Sequence, residues 1–157
     1  MRTGFIPTQR LAAIERALET AALRGGMNNQ TLLLRQIHPS FMQAGRITSQ
    51  AFRPTPKDEN KLSVYDGDKL TAVAAWTHFT RAPECRSVGV MAVTKGQCVE
   101  LALGVNADGV PFPEHASIDY SNFTKSEIEK KAKVLKGYAQ TRGWLCMGRE
   151  SRTAQPA

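Results

Sequence analysis

Two short apolar runs constrain the fold more than any other feature of the sequence. Residues 31–37 (TLLLRQI) and 87–93 (SVGVMAV) are almost continuously apolar. Apolar runs of about four to eight residues, bounded by turn signals, are typical of strands buried on both faces of a sheet. We therefore predict that both segments are buried strands of a sheet with helices on one or both faces.

Two capping boxes mark where helices begin. In this motif a threonine is followed three residues later by glutamine or glutamate, as at Thr94 and Thr124. The second box predicts the longest helix, which ends at Gly143. Further helices are predicted at residues 71–79 and, with an amphipathic pattern, at residues 8–24. The buried stripe of the longest helix is predicted to hold Ile128, Ala132, Leu135 and Ala139.

Alternating or short apolar patterns predict three more strands, at residues 46–52, 62–65 and 115–120. The fold class is therefore α+β: a single domain with a small mixed sheet of about five strands, packed helices and an N-terminal amphipathic helix. The predicted divisions are an N-terminal helical extension (1–26), a globular domain (27–148) and a flexible C-terminal tail (149–157).

Positive charge is concentrated at the two ends of the chain. The net charge of +7 divides into +5 over residues 1–53, −3 over 54–123 and +5 over 124–157. Such a distribution suits a surface that meets a polyanion, such as nucleic acid, or an acidic protein partner. The alternative is that the charge serves solubility alone.

The cysteines and the apolar runs favour a cytoplasmic protein that does not enter membranes. The three cysteines are far apart and form no CxxC pair, which argues against a disulfide framework and a cysteine zinc site. No apolar run approaches the roughly 18 residues that suggest a membrane-spanning helix. The first residues lack the apolar region and cleavage site of a signal peptide.

The common catalytic motifs are absent from the sequence. It contains no P-loop, GxGxxG fingerprint, HExxH, GxSxG or EF-hand pattern. The acidic turn around Asp58 and Asp66 lacks the upstream acid that a metal-dependent nuclease would use. We therefore predict neither a metal site nor a cofactor.

Two histidines are the best candidates for acid/base chemistry. His38 and His115 each lie at the end of a predicted strand, where sheets often present functional side chains. Imidazole is the side chain best suited to proton transfer near neutral pH. The alternative is that each ring only caps its strand by hydrogen bonding to the backbone.

Basic and hydroxyl side chains around the first two predicted strands would form an anion-binding surface if those strands are neighbours. Arginine and hydroxyl donors match phosphate oxygens in geometry. The predicted anion- or nucleic-acid-binding residues are Arg35, Arg46, Ser49, Arg53 and Lys57, together with Lys130 and Lys133 on the last helix.

These observations support two hypotheses of function. The first is a small basic binding module that contacts nucleic acid or an acidic protein through the surface formed by residues 35–57. The alternative is a small enzyme, a nuclease or a transferase, that acts on phosphodiester or nucleotide substrates through His38 and His115. The sequence leaves the oligomeric state and the identity of any partner open.

Overall fold

The strand at the centre of the fold, β1 (Leu32–Gln36), pairs with a neighbour on each side. It belongs to a computed structural model that describes residues 26–148. The other strands are β2 (Met42–Gln43), β3 (Arg46–Ile47), β4 (Lys61–Asp66), β5 (Gly89–Thr94), β6 (Gly104–Asn106), β7 (His115–Asp119) and β8 (Cys146–Met147). The helices are α1 (Ala72–Phe79), α2 (Lys95–Glu100) and α3 (Lys125–Arg142), with 3₁₀ turns at Pro39–Phe41, Ser49–Phe52 and Pro56–Asp58.

Six strands form the main sheet in the order β6-β7-β4-β1-β5-β8, and each neighbouring pair is antiparallel. The α+β class is thus confirmed, but the prediction of a mixed sheet of about five strands is wrong. The apolar pattern of a strand reports its burial and carries no information about the direction of its neighbours. Strands β2 and β3 form a separate two-stranded hairpin.

Both faces of the central strands are covered, as their continuous apolar runs predicted. On one face, Leu33 and Val93 pack in a core with Leu135 of α3. On the other face, Leu34 and Ala92 pack in a smaller cluster around α1. Successive residues of a strand point to opposite faces, so a strand covered on both sides needs apolar residues at consecutive positions.

The predicted capping boxes are confirmed at both helix starts. Thr94 accepts from the backbone N–H of Gln97, and Thr124 accepts from that of Glu127, with the reciprocal side-chain bonds also present. Helix α3 buries the four predicted residues, Ile128, Ala132, Leu135 and Ala139. The boxes satisfy backbone N–H groups that have no partner inside the helix, which defines where each helix begins.

The prediction of a strand at residues 46–52 is wrong beyond its first two residues. Only Arg46–Ile47 is extended, and Ser49–Phe52 forms a 3₁₀ turn. Ala51 and Phe52 are both fully buried although they are adjacent, which the turn permits and an alternating strand with one solvent face does not. The turn carries Phe52 beneath Tyr120, whose hydroxyl donates to the Phe52 carbonyl at 2.6 Å.

Two sets of sequence predictions fall on residues that the structure does not describe. The amphipathic helix at residues 8–24, with nearly all of the extension 1–26, lies outside the described range, as does the tail 149–157. Within residues 26–148, no helix combines the length and apolar character needed to cross a membrane.

Candidate functional site

A cavity of about 410 Å³ opens on the α1 side of the sheet. Helix α1 has eight residues and packs mainly against β1, β5 and β8, and it reaches β4 through the contact between His78 and Tyr65. The volume lies in the usual range for small-molecule sites. The lining residues are Leu34, Arg35, Gln36, His38, Phe41, Ser63, Val64, Tyr65, Phe79, Arg86, Pro111, Phe112 and His115.

His115 enters the cavity lining from the first position of β7. Its Nδ1 atom lies 2.6 Å from Oδ1 of Asp108, and the Gly109 backbone N–H donates to the His115 carbonyl at 3.1 Å. A carboxylate only accepts hydrogen bonds, so Nδ1 carries the proton in this contact. The neutral ring therefore has a lone pair on Nε2, the form required of a base.

His38, which directly follows β1 in the chain, lines the same cavity. Pro39 starts a 3₁₀ turn, and this turn directs the Ser40 backbone N–H to Nδ1 of His38 at 3.0 Å. The Ser40 hydroxyl lies 2.8 Å from the same nitrogen. Since a backbone N–H only donates, Nδ1 accepts here, and the proton of the neutral ring is on Nε2. The hydrogen bonds thus place the two imidazoles in opposite tautomers.

Arg35 lines the cavity and also donates hydrogen bonds to the backbone of two neighbouring segments. Its Nε donates to the Ala51 carbonyl at 2.7 Å and its Nη1 to the Ser63 carbonyl at 2.9 Å. Burial lowers the pKa of Arg35 to about 10, which leaves the side chain charged at neutral pH. A guanidinium has five N–H donors, so these two bonds do not exhaust its capacity.

Aromatic rings form one wall of the site. Phe112 stacks on Tyr65, with 5.1 Å between ring centroids, and meets His115 edge-on at 5.4 Å. The Tyr65 hydroxyl lies 2.9 Å from Nδ1 of His78. Burial raises the pKa of Tyr65 to about 12, so its hydroxyl stays protonated at neutral pH. These contacts fix the ring of Phe112 between the strand and the imidazole.

The other predicted anion-binding residues lie away from this cavity lining. Arg46 borders a groove of about 260 Å³ with Trp144, and Arg53 borders another of about 300 Å³ with Lys125. Ser49 and Lys57 belong to the 3₁₀ turns Ser49–Phe52 and Pro56–Asp58. Lys130 and Lys133 are exposed on α3. Of the predicted set, the structure brings together Arg35, His38 and His115.

Three residues of the site were not singled out from the sequence. Asp108 lies in a turn-rich loop, where no periodic pattern marks it. Arg86 lies in a linker of the same kind. Gln36, in contrast, had a signal: it is an uncharged polar residue inside a run that predicted a buried strand, and buried polar groups normally need a partner.

Potential metal ligands do not gather in the described part of the chain. Among residues 26–148, no three histidine, cysteine or acidic side chains are close enough together to hold a metal ion.

Comparison with known proteins leaves these geometric observations as the basis for an assignment. No protein-family model matches the chain, no curated protein is significantly similar to it in sequence, and no solved structure matches its fold significantly.

Proposed function

We propose that the protein is a small enzyme that acts on phosphodiester or nucleotide substrates, with His115 as general base and His38 as proton donor. One observation carries the proposal: the two histidines line one cavity, with Nδ1 bonded to an acceptor in one ring and to a donor in the other. Acid/base catalysis requires one group that takes a proton and one that gives a proton.

His115 would take the proton of the attacking hydroxyl or water on Nε2. The Asp108 carboxylate holds the ring in the required tautomer and stabilises the imidazolium that forms. The attacking oxygen then forms a bond to phosphorus, and the bond from phosphorus to the leaving oxygen breaks.

His38 would serve the leaving oxygen through Nε2. The neutral ring donates a hydrogen bond, and the charged ring transfers a full proton. In the charged ring Nδ1 also carries a proton, and the Ser40 hydroxyl, 2.8 Å away, can accept from it. The charged ring would lose the bond that the Ser40 backbone N–H donates to Nδ1 and would keep only the contact with the Ser40 hydroxyl.

The charges of the lining residues favour an anionic ligand. Arg35 and Arg86 line the cavity together with the two imidazoles, whereas no aspartate or glutamate is among the lining residues. Positive groups in a partly enclosed site attract phosphate and stabilise the charge that develops on its oxygens.

The test is turnover of a fluorogenic oligoribonucleotide and of 2′,3′-cyclic nucleotides by the wild type and by His38→Ala and His115→Ala. Each substitution should reduce kcat/KM by about 10²–10⁴-fold, the usual contribution of a general acid or base. His78→Asn is the comparison variant: His78 does not line the cavity but contacts the lining residues Tyr65 and Phe112, so its loss of turnover should be much smaller. Unchanged turnover in either alanine variant contradicts the proposal.

The binding-module hypothesis stays as a second proposal, and one observation favours it. Arg53 and Lys125 border the same groove together with Phe123, which offers two cations and an aromatic ring to a nucleic-acid strand. Arg46 borders a different groove, so the predicted basic residues do not all face one groove. This separation makes the enzyme the better supported of the two.

Salt dependence separates the two proposals. Binding of a single-stranded oligonucleotide through phosphates should weaken steeply with salt and should weaken further in Arg53→Ala and Lys125→Ala. The same two variants should keep the turnover that depends on the histidines.

A further inference from the structure

The groove of about 300 Å³ presents two exposed cations that no acid neutralises. Arg53 and Lys125 both border it, and neither side chain has a hydrogen bond or an ion pair with any described residue. Lys61, in contrast, is paired with Glu59 at 3.5 Å. Glu129 is the one acid among the lining residues, so the groove keeps a net positive charge. Such a groove attracts a polyanion.

Two stretches of the chain connect this groove with the cavity that holds the histidines. Arg35, which lines the cavity, donates from Nε to the Ala51 carbonyl at 2.7 Å, and Arg53 follows Ala51 by two residues. Asn60, directly before β4, borders the groove, and Ser63 of β4 lines the cavity. Because an extended chain rises about 3.3 Å per residue, these two residues are roughly 10 Å apart. The two sites are therefore neighbours.

Exposed groups of β4 lie between the two sites. Lys61 and Ser63 are exposed, whereas Leu62 and Val64 are buried, so the two exposed residues share one face of the strand. The bond from Nη1 of Arg35 to the Ser63 carbonyl is also exposed. A nucleic-acid strand with one phosphate beside the histidines can therefore continue over exposed protein surface toward the groove.

We propose that the cavity and the groove bind successive parts of one single-stranded polynucleotide, with the reacting phosphate in the cavity and flanking phosphates beside Arg53 and Lys125. This inference rests on the proposed function, because it takes His38 and His115 to act on the phosphate in the cavity. It names the substrate class as a polymer and not a free nucleotide. Contacts to phosphates position a strand without reading its sequence, so the groove is a binding subsite without base preference.

The test compares the turnover of a dinucleotide, a tetranucleotide and an octanucleotide of RNA with that of a 2′,3′-cyclic mononucleotide. In the wild type KM should fall as the RNA lengthens, because only a longer strand reaches the groove. In the double variant Arg53→Ala/Lys125→Ala this fall should disappear. Its kcat for the octanucleotide should stay as in the wild type, since loss of a binding contact raises KM alone. Both kinetic parameters for the cyclic mononucleotide should also stay unchanged.

The second readout is the salt dependence of octanucleotide binding, measured in the His115→Ala background so that the RNA stays intact. For single strands the slope of log affinity against log salt is about −0.7 per phosphate contact, so the loss of two contacts should make it shallower by about 1.4. The matched control is Arg142→Ala/Lys136→Ala, which removes one arginine and one lysine of α3 that line neither the groove nor the cavity. This control should keep both the length dependence and the slope.

The outcomes separate this inference from the proposed function. The inference is overturned if KM does not fall with length in the wild type, if the Arg53→Ala/Lys125→Ala variant keeps the fall, or if the control loses as much of it. Histidine-dependent turnover of the cyclic mononucleotide would in each case leave the proposed function intact. Binding that increases with length and requires Arg53 and Lys125, in a protein without turnover, would overturn both and leave the binding module.

Discussion

The two faces of the sheet are built from the same strands but are closed to different extents. Helix α3, with 18 residues, seals one face and packs fully buried side chains such as Leu135 against it. Helix α1, with eight residues, covers only part of the other face and leaves the cavity beside it. The length of the covering helix thus distinguishes a face closed over a buried core from a face that keeps a cavity.

Each face also holds one buried side chain with an unpaired polar atom among the described residues, and the two differ in whether the group can ionise. Gln36 lines the cavity, whereas Asp66, which is fully buried and has no partner for Oδ2 within residues 26–148, does not. Asp66 pairs in register with Leu33, whose side chain belongs to the sealed face. Because the carboxyl of Asp66 can ionise and the amide of Gln36 cannot, only Asp66 is expected to make stability depend on pH.

The largest expected effect belongs to the sealed face. Leu135→Ala should lower the free energy of unfolding by about 2–5 kcal/mol, because it leaves a space beneath α3 that the surrounding side chains cannot fill. Urea denaturation measures this change. Val134→Ala, an exposed position on the same helix, should cost no more than about 0.5 kcal/mol. Equal losses in the two variants would show that α3 does not seal the face.

The next effect belongs to the cavity, and it compares two substitutions of Asp108. An asparagine amide can donate to Nδ1 of His115, which moves the ring proton to Nε2 and blocks the base. Asp108→Asn should therefore reduce kcat/KM by about 10²-fold or more, and Asp108→Ala, which leaves the tautomer open, should reduce it less. Thermal unfolding should be nearly unchanged in both. If alanine is the more damaging substitution, Asp108 only supports the loop.

Tyr120→Phe tests whether polar bonds matter on the sealed face. Its hydroxyl donates to the buried carbonyl of Phe52 at 2.6 Å, and the substitution leaves that oxygen without a partner. We expect a loss of about 1–3 kcal/mol of unfolding free energy, measured by urea denaturation. The control is Tyr138→Phe, since the Tyr138 hydroxyl makes no hydrogen bond to any described residue. A loss no larger than that of the control would mean that the 3₁₀ turn at Ser49–Phe52 does not depend on this bond.

The smallest expected effect is the dependence of stability on pH through Asp66. Burial raises the pKa of Asp66 in the folded protein, although a hydrogen bond from the Asp68 backbone N–H opposes the change. Folding therefore favours the protonated form. The resulting stabilisation is complete below the pKa of Asp66 in the unfolded chain, about 3.9, and is lost as pH rises through its pKa in the folded protein.

The stability of Asp66→Asn relative to the wild type should consequently increase as pH rises above the pKa of Asp66 in the unfolded chain. Unfolding free energies from urea denaturation at a series of pH values measure the difference, and Glu84→Gln controls for the loss of one exposed negative charge. A difference that does not change with pH would show that Asp66 titrates alike in the folded and unfolded states.

The sequence allowed the local elements to be predicted better than their arrangement. The capping boxes at Thr94 and Thr124 are local hydrogen-bonding patterns, so both helix starts follow from a few adjacent residues. Strands β6 and β8, with three and two residues, are too short to show a period. Pairing direction is a property of two distant segments, which explains why a mixed sheet was predicted.

The residues of the site were also predicted only in part from the sequence. His38 and His115 were recognisable as residues at strand ends, and their catalytic role stays a prediction. Asp108 depends on the path of a loop that carries no pattern. Arg35 lies beneath the 3₁₀ turn at Ser49–Phe52. The alternating pattern of residues 46–52 predicted a strand and not this turn. Tertiary contacts, which local sequence patterns do not report, determine the positions of Asp108 and Arg35.

The short outer strands of the sheet have a consequence for association between molecules. Strands β6 and β8 form the two edges, with three and two residues. An edge strand exposes backbone donors and acceptors that can pair with another chain, and this hazard grows with its length and flatness. Within the described part of the chain, β6 and β8 themselves therefore offer few backbone groups for pairing with another chain.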